Sequence, residues 1–173
     1  MFIILVIACS GCEGCRSSGL LVNGTYTDSK KYKFSIKKKS SELFFDIKSD
    51  EDIRISKNDQ LGIFVTVIPP GSKLYNRDPK KMLINFIPLY KKNVSTLVPE
   101  KKKNRNMYIH KQRAYEAWFM GDLAWTPTQY IMWGLVRKSD STGFVIVLKC
   151  PFQMEKKWMK KLKATAKTFK FIR

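Results

Sequence analysis

The chemistry that this sequence could carry starts with its cysteines. Cys9, Cys12 and Cys15 stand at three-residue spacing, and Cys150 is followed by Pro151. Thiolates in that pattern can ligate an iron–sulfur cluster, with the fourth ligand supplied from a Cys-Pro pair. Position argues against it here. Such a fourth ligand usually lies nearby or in a second motif, whereas Cys150 comes far downstream, at the end of an expected strand. The first three cysteines directly follow an apolar start, where no scaffold fixes them. A zinc site meets the same difficulty, since His110 is the only histidine. Pairing of Cys12 with Cys15, or free thiols, stay open; Cys150 reads as a packed thiol.

Other constellations are equally thin. Cys150 and His110 both fall in expected strands, but no third group orients them as a nucleophile and base. Asp50, Glu51 and Asp52 are adjacent, without the spaced oxygens and glycine of a calcium loop, and read as a solvated turn. Gly62 and Gly71 flank a strand without phosphate-loop spacing. Asn23-Gly24-Thr25 and Asn93-Val94-Ser95 match glycosylation acceptors, which matter only in a eukaryotic secretory chain. The expectation is a chain with no catalytic residues, no cofactor and no metal.

Binding is better supported. The 173 residues carry a formal charge of +19, supplied mostly by lysine. Such a field draws anionic partners. Scarce arginine weakens a reading based on bidentate base or phosphate recognition, and no nucleic-acid-binding signature is present. The lysines form knots. Lys101, Lys102, Lys103 and Arg105 make one, Lys37 to Lys39 a second, and Lys156, Lys157, Lys160 and Lys161 belong to a third on the last helix. Each is also what a solvated loop or helix face looks like. The aromatic band Tyr115, Trp118, Phe119, Trp125, Tyr130 and Trp133 could line an apolar cleft, although core packing accounts for most of it. Trp125, beside Thr126-Pro127, is the member expected in a loop.

The start "MFIILVIAC" resembles a bacterial lipobox, in which small or apolar residues precede a cysteine that receives lipid. That resemblance implies lipidation of Cys9. Ser10 after it is compatible with forwarding to an outer membrane where the cell has one. The apolar run is about eight residues with no Lys or Arg before it, short for a signal peptide, which points to a start further upstream. The division that follows is residues 1–8 as residual signal peptide, 9–24 as a flexible Cys/Gly/Ser tether, and 25–173 as one globular domain. Envelope anchoring would remove nucleic acid as a partner and leave the membrane, an anionic lipid or an envelope protein. A soluble nucleic-acid-binding domain and a metal or Fe–S protein are the alternatives.

The elements follow from periodicity. "YKFSI" alternates as a half-buried strand, and "ELFFDIK" and "DIRIS" flank a turn. "QLGIFVTVI" is a strand stopped by Pro69-Pro70-Gly71. Asp78-Pro79 caps a helix in which Met82, Leu83, Phe86, Leu89 and Tyr90 recur at helical spacing, with Pro88 expected to end or kink it. Residues 98–106 read as a charged loop, and the next run as strand with a turn near Gly121-Asp122. "TQYIMWGLVRK" and "TGFVIVLKC" form the clearest hairpin. In it Tyr130, Met132 and Val136 oppose Ile131, Trp133 and Leu135; Phe144, Ile146 and Leu148 oppose Val145 and Val147. Both faces are apolar, so the hairpin belongs mid-sheet with a layer on each side. Pro151 opens the last helix, with Met154, Trp158 and Leu162 on one stripe.

This order is similar to the PsbP-like α/β/α sandwich, also seen in DcrB-like bacterial lipoproteins. The matching stretches are "YKFSI", "GIFVTVIPP" before a helix, "HKQRAYEAWF", the hairpin, and the closing helix with "ATAKTFKFI". The resemblance covers about residues 25–173 and implies an α+β fold, an antiparallel β-sheet flanked by helices on both faces. It also implies non-enzymatic, often accessory roles at membranes, with no shared catalytic residues to carry over.

Overall fold

The computed structural model describes residues 19–49, 52–92, 94 and 96–172. Cys9, Cys12, Cys15, the lipobox and part of the Asp50–Asp52 turn lie outside the described residues. A four-stranded antiparallel sheet is built from β1 (Leu20–Val22), β2 (Thr25–Asp28), β3 (Phe34–Lys37) and β12 (Lys170–Phe171), in the order β1-β2-β3-β12. A larger antiparallel sheet holds β4 (Phe44–Ser49), β5 (Asp52–Asn58), β6 (Leu61–Ile68), β7 (Thr96–Pro99), β8 (Arg105–Ile109), β9 (Gln112–Leu123), β10 (Thr126–Val136) and β11 (Gly143–Pro151). Its order is β4-β5-β6-β11-β10-β9-β7, with β8 also on β9. The two helices are α1 (Pro79–Lys91) and α2 (Glu155–Ala166). Among the described residues, strand pairing begins at Leu20, inside the span read as tether.

The β10–β11 hairpin lies mid-sheet, as its doubly apolar pattern requires. Alternate residues of a strand point to opposite sides, and two separate clusters use them. Met82, Leu83 and Phe86 of α1 pack with Tyr130, Met132, Val145 and Val147. Trp158, Leu162 and Ala166 of α2 pack with Ile131, Trp133, Ile146 and Leu148. The small sheet shares this second cluster through Tyr26, Phe34 and Ile36, a second sheet that the sequence pattern does not separate from the first. Phe169 and Phe171, whose relative orientation the sequence leaves open, both join it, with ring centroids 5.4 Å apart.

Arg137 locks the two sheets together. It is buried, donates to the carbonyls of Tyr32 and Lys33 next to β3, and pairs with Asp140 in the β10–β11 turn. At the N-terminus of α1, the Asp78 carboxylate accepts from Lys80 N at 2.8 Å, an N-cap worth about 1 kcal/mol.

Three expectations need correction. Of the two outcomes expected of Pro88, ending α1 is not the one found, since the helix continues to Lys91. The carbonyl it frees belongs to Ile84, on the helix's exposed side where water can take it. Residues 98–106 are not a loop throughout. Together β7 and β8 occupy the outer edge of the long strand β9, and the chain leaves that edge for one 3₁₀ turn at Lys101–Lys103. Trp118 of β9 bridges the gap: its carbonyl accepts from Glu100 N at 2.8 Å, and its N–H donates to Asn104 Oδ1 at 2.9 Å. Lysines suit such an edge, because they oppose pairing with another chain.

The third concerns turns. Gly121-Asp122 lies inside β9, and the reversals fall at His110-Lys111 and Ala124-Trp125. All four of those residues have positive φ, between 46° and 66°, the backbone that tight two-residue hairpins demand. Gly121 answers a different need. A Cβ there would stand 2.1 Å from the Thr96 carbonyl oxygen, so the glycine permits close approach of β7.

Candidate functional site: basic segments gathered on the last helix

The three lysine knots are far apart in sequence and come together along α2. Lys37 N donates to Thr168 Oγ1 at 2.8 Å and Lys39 N to Thr165 Oγ1 at 3.0 Å, which fixes the Lys37–Lys39 knot at the C-terminal end of α2. In the last turn of the helix, Lys163 lies over the Trp118 ring at 4.2 Å, and Lys103 lies over the same ring at 5.0 Å. One indole therefore joins the Lys101–Arg105 segment to the helix. Burial lowers the Lys163 pKa, and a cation over an indole face gains about 0.5–2 kcal/mol.

The predicted residues divide by what they touch. Lys103 pairs with Glu100 at 2.9 Å. Arg105 Nε donates to Glu116 Oε1 at 3.0 Å, while the buried carboxylate's other oxygen accepts from Trp133 Nε1 at 2.8 Å. Lys161 and Lys57 share Glu42, at 2.8 and 3.1 Å, and these two ammonium groups hold its carboxyl down at about 2. Lys101, Lys102, Lys156, Lys157 and Lys160 are exposed and have no ion pair among the described residues. Lys101 turns away from α2: it lines a groove of about 530 Å³ between α1 and β9, with Tyr115 and Phe119 of the aromatic band. Trp133 and Tyr130 are buried in the opposite clusters, so the band does not form one cleft. Glu42 was missed, and Trp118 was read only as part of the aromatic band; nothing local in sequence links Trp118, Lys163 and Glu42 to the knots.

One end of the large sheet adds an apolar tip. Trp125, at the β9–β10 turn, is 96% exposed. Thr128 pairs with Pro151 in the adjacent strands, so Phe152 and Met154, 53% and 38% exposed, emerge at the same end. Glu155 then starts α2, and Lys156 and Lys157 follow in its first turn. Of the four tryptophans, Trp133 and Trp158 are fully buried and Trp118 partly so.

The thiol–imidazole pair does not assemble. His110 sits in a turn, its Nε2 3.0 Å from the Lys167 carbonyl, not in a strand. Cys150 pairs with Gln129, and Leu135, six residues further along β10, pairs with Ala114 near the other end. That interval is roughly 20 Å along a strand. Burial pushes the Cys150 thiol up to about 12, which leaves it un-ionised near neutrality. No helix among the described residues is long and apolar enough to cross a membrane.

No protein-family model matches the sequence, and no curated protein matches it. Solved structures do. A solution structure of cyanobacterial PsbP (CyanoP) from Synechocystis sp. PCC 6803 matches with TM-score 0.58 at 12% identity, over 94% of this chain and 98% of that one. LpqN, described as involved in cell envelope biogenesis of Mycobacterium tuberculosis, matches with TM-score 0.53 at 12% identity, over 81% and 83%. A crystal structure from Bacteroides thetaiotaomicron VPI-5482 matches with TM-score 0.52 at 10% identity; the match takes in 81% of this chain and only 45% of that one. At such identities the likeness speaks for architecture alone, and what it establishes is that this chain has a PsbP-like fold.

Proposed function

We propose that this protein is a non-catalytic binding or accessory module of the bacterial cell envelope. Lipid on Cys9 tethers it, and its basic α2 side rests on an anionic membrane. Helix cover on both sides of the large sheet, α1 on one and α2 on the other, belongs to the same reading. The observation that carries it is the juxtaposition at the sheet end. Trp125, Phe152 and Met154 are exposed apolar groups beside Lys156 and Lys157, with Lys160 further along the same helix. Tryptophan prefers the headgroup level of a bilayer, and each nearby lysine adds about 1 kcal/mol at an anionic surface. A lipid chain with a basic patch supplies the two signals that stable anchoring takes. The envelope role in LpqN's description agrees with this placement.

Trp125 provides the readout, because it is the one strongly exposed indole among the described residues. With phosphatidylglycerol vesicles, its emission should shift to the blue and become shielded from iodide, and both effects should fade with salt. The triple substitution K156Q/K157Q/K160Q should weaken vesicle affinity roughly tenfold to a hundredfold. Unchanged emission with anionic vesicles, together with salt-dependent binding of duplex DNA, would favour the nucleic-acid reading.

A further inference from the structure

A poorly partnered charge also lies away from α2. Lys149, on β11, is 9% exposed. It has no ion pair and no hydrogen bond among the described residues; its one close partner is the Phe64 ring, 4.5 Å from Nζ. Its neighbour across the ladder on β6 is Gly62, which contributes no side chain. Burial lowers the Lys149 pKa, and Asp59 opposes this only through space. Most of the side chain is buried while its ammonium lacks a protein acceptor among the described residues, so what stands in front of it matters.

In front of it is a cavity of about 390 Å³ on the α1 side of the large sheet. Phe64, Phe86, Leu89 and Val147 provide apolar wall. Arg54 lies across Phe64 from Lys149, with its Cζ 5.5 Å from the ring centroid, but its guanidinium is engaged by Asp52 at 3.1 Å. Among the described residues, the polar end thus offers the Lys149 ammonium, without an ion pair, beside an Arg54–Asp52 pair whose Arg54 Nε has no hydrogen-bond partner.

We propose that this cavity binds an amphiphilic carboxylate, with the carboxylate on Lys149 and a single short acyl chain against Phe64, Phe86, Leu89 and Val147. One free cation balances a singly charged headgroup, whereas a dianionic phosphate would stay under-compensated. The volume lies near the lower bound of ligand pockets, roughly 300 Å³, which suits one chain and not a diacyl lipid. The site is independent of the lysines on α2, so membrane binding and ligand binding can fail separately.

Calorimetry of the full chain with decanoate, below its micelle concentration, tests this, with decan-1-ol as the neutral control. Decanoate should bind one-to-one, at least tenfold tighter than decanol. K149M should lose at least tenfold in decanoate affinity and keep its vesicle binding; K149R should stay within a few-fold of the parent. K149Q makes the same test if K149M folds poorly. Equal affinity for decanoate and decanol, undiminished decanoate binding by both K149M and K149Q, or no decanoate binding by the parent chain would each overturn the proposal.

Discussion

The two clusters of the core are closed by different means. In α2's cluster, helix and small sheet pack against the large sheet together. Phe34, Phe144, Phe169 and Phe171 interlock there, with ring centroids 5.2 to 5.5 Å apart in the contacting pairs. In α1's cluster, a helix of 13 residues is joined by Leu74, Tyr75, Val94 and Leu97 from outside it. Its length is roughly 20 Å, and the sheet it covers is wider than one helix. A cavity remains on each of its flanks, about 530 Å³ towards β9 and about 390 Å³ over Lys149. Two ligand-sized spaces therefore flank the single helix.

That contrast can be broken most directly by truncation. Phe144→Ala on the closed side should cost about 3–5 kcal/mol in denaturant unfolding, as large-to-small changes in tight cores do. Leu89→Ala at the rim of the Lys149 cavity, 46% exposed, should cost less than about 1 kcal/mol. Equal losses would mean that the two sides are packed alike.

A smaller effect sharpens the polar half of the comparison. Glu116→Leu removes the acceptor of the buried Trp133 indole N–H and the partner of Arg105. Arg105 is exposed and can turn to water, so the loss should be that of one orphaned buried donor, about 1–3 kcal/mol. Chemical denaturation measures it, and restored stability in a Trp133→Phe background would identify the indole as the cause.

The smallest effect is electrostatic. Lys161 and Lys57 hold Glu42 at about 2, against an ordinary 4.5. A depressed folded-state pKa contributes stability that is full above the ordinary value and is lost as pH falls towards the depressed one. Melting temperature should therefore decline between about pH 4.5 and 2, and Glu42→Gln should flatten that decline slightly. Asp140, also held at about 2 by Arg137, should preserve part of the slope in that variant. A carboxyl-carbon titration that placed Glu42 at its ordinary value would remove the effect.

The β10–β11 hairpin, with its two apolar parities, was legible because every residue from Ile131 to Leu135 must satisfy a layer. The α1 stripe of Met82, Leu83 and Phe86 was legible for the same reason. The edge strands were not. β7 and β8 are short and largely exposed, and the lysines of the turn between them, Lys101–Lys103, make the whole stretch imitate a loop. His110-Lys111 and Ala124-Trp125 hid their turns because the positive-φ positions hold none of the usual glycine or asparagine. Of the candidate site, the lysines were visible as residue types. Their meeting around Trp118 was not, since nothing in the sequence brings the Lys101–Arg105 segment to Lys163. Lys149 was invisible as a special residue, because only burial separates it from the other lysines.

The smallest strand carries a consequence for synthesis. β12 is two residues long and pairs with β3, and the Lys37–Thr168 bond beside it spans 131 residues. Contacts that distant form late. While the chain is incomplete, the large sheet can assemble with Phe34 and Phe144 still uncovered, and only the arrival of Phe169 and Phe171 seals them. A nascent or truncated chain ending before residue 169 would present those two rings to chaperones or to other copies of itself.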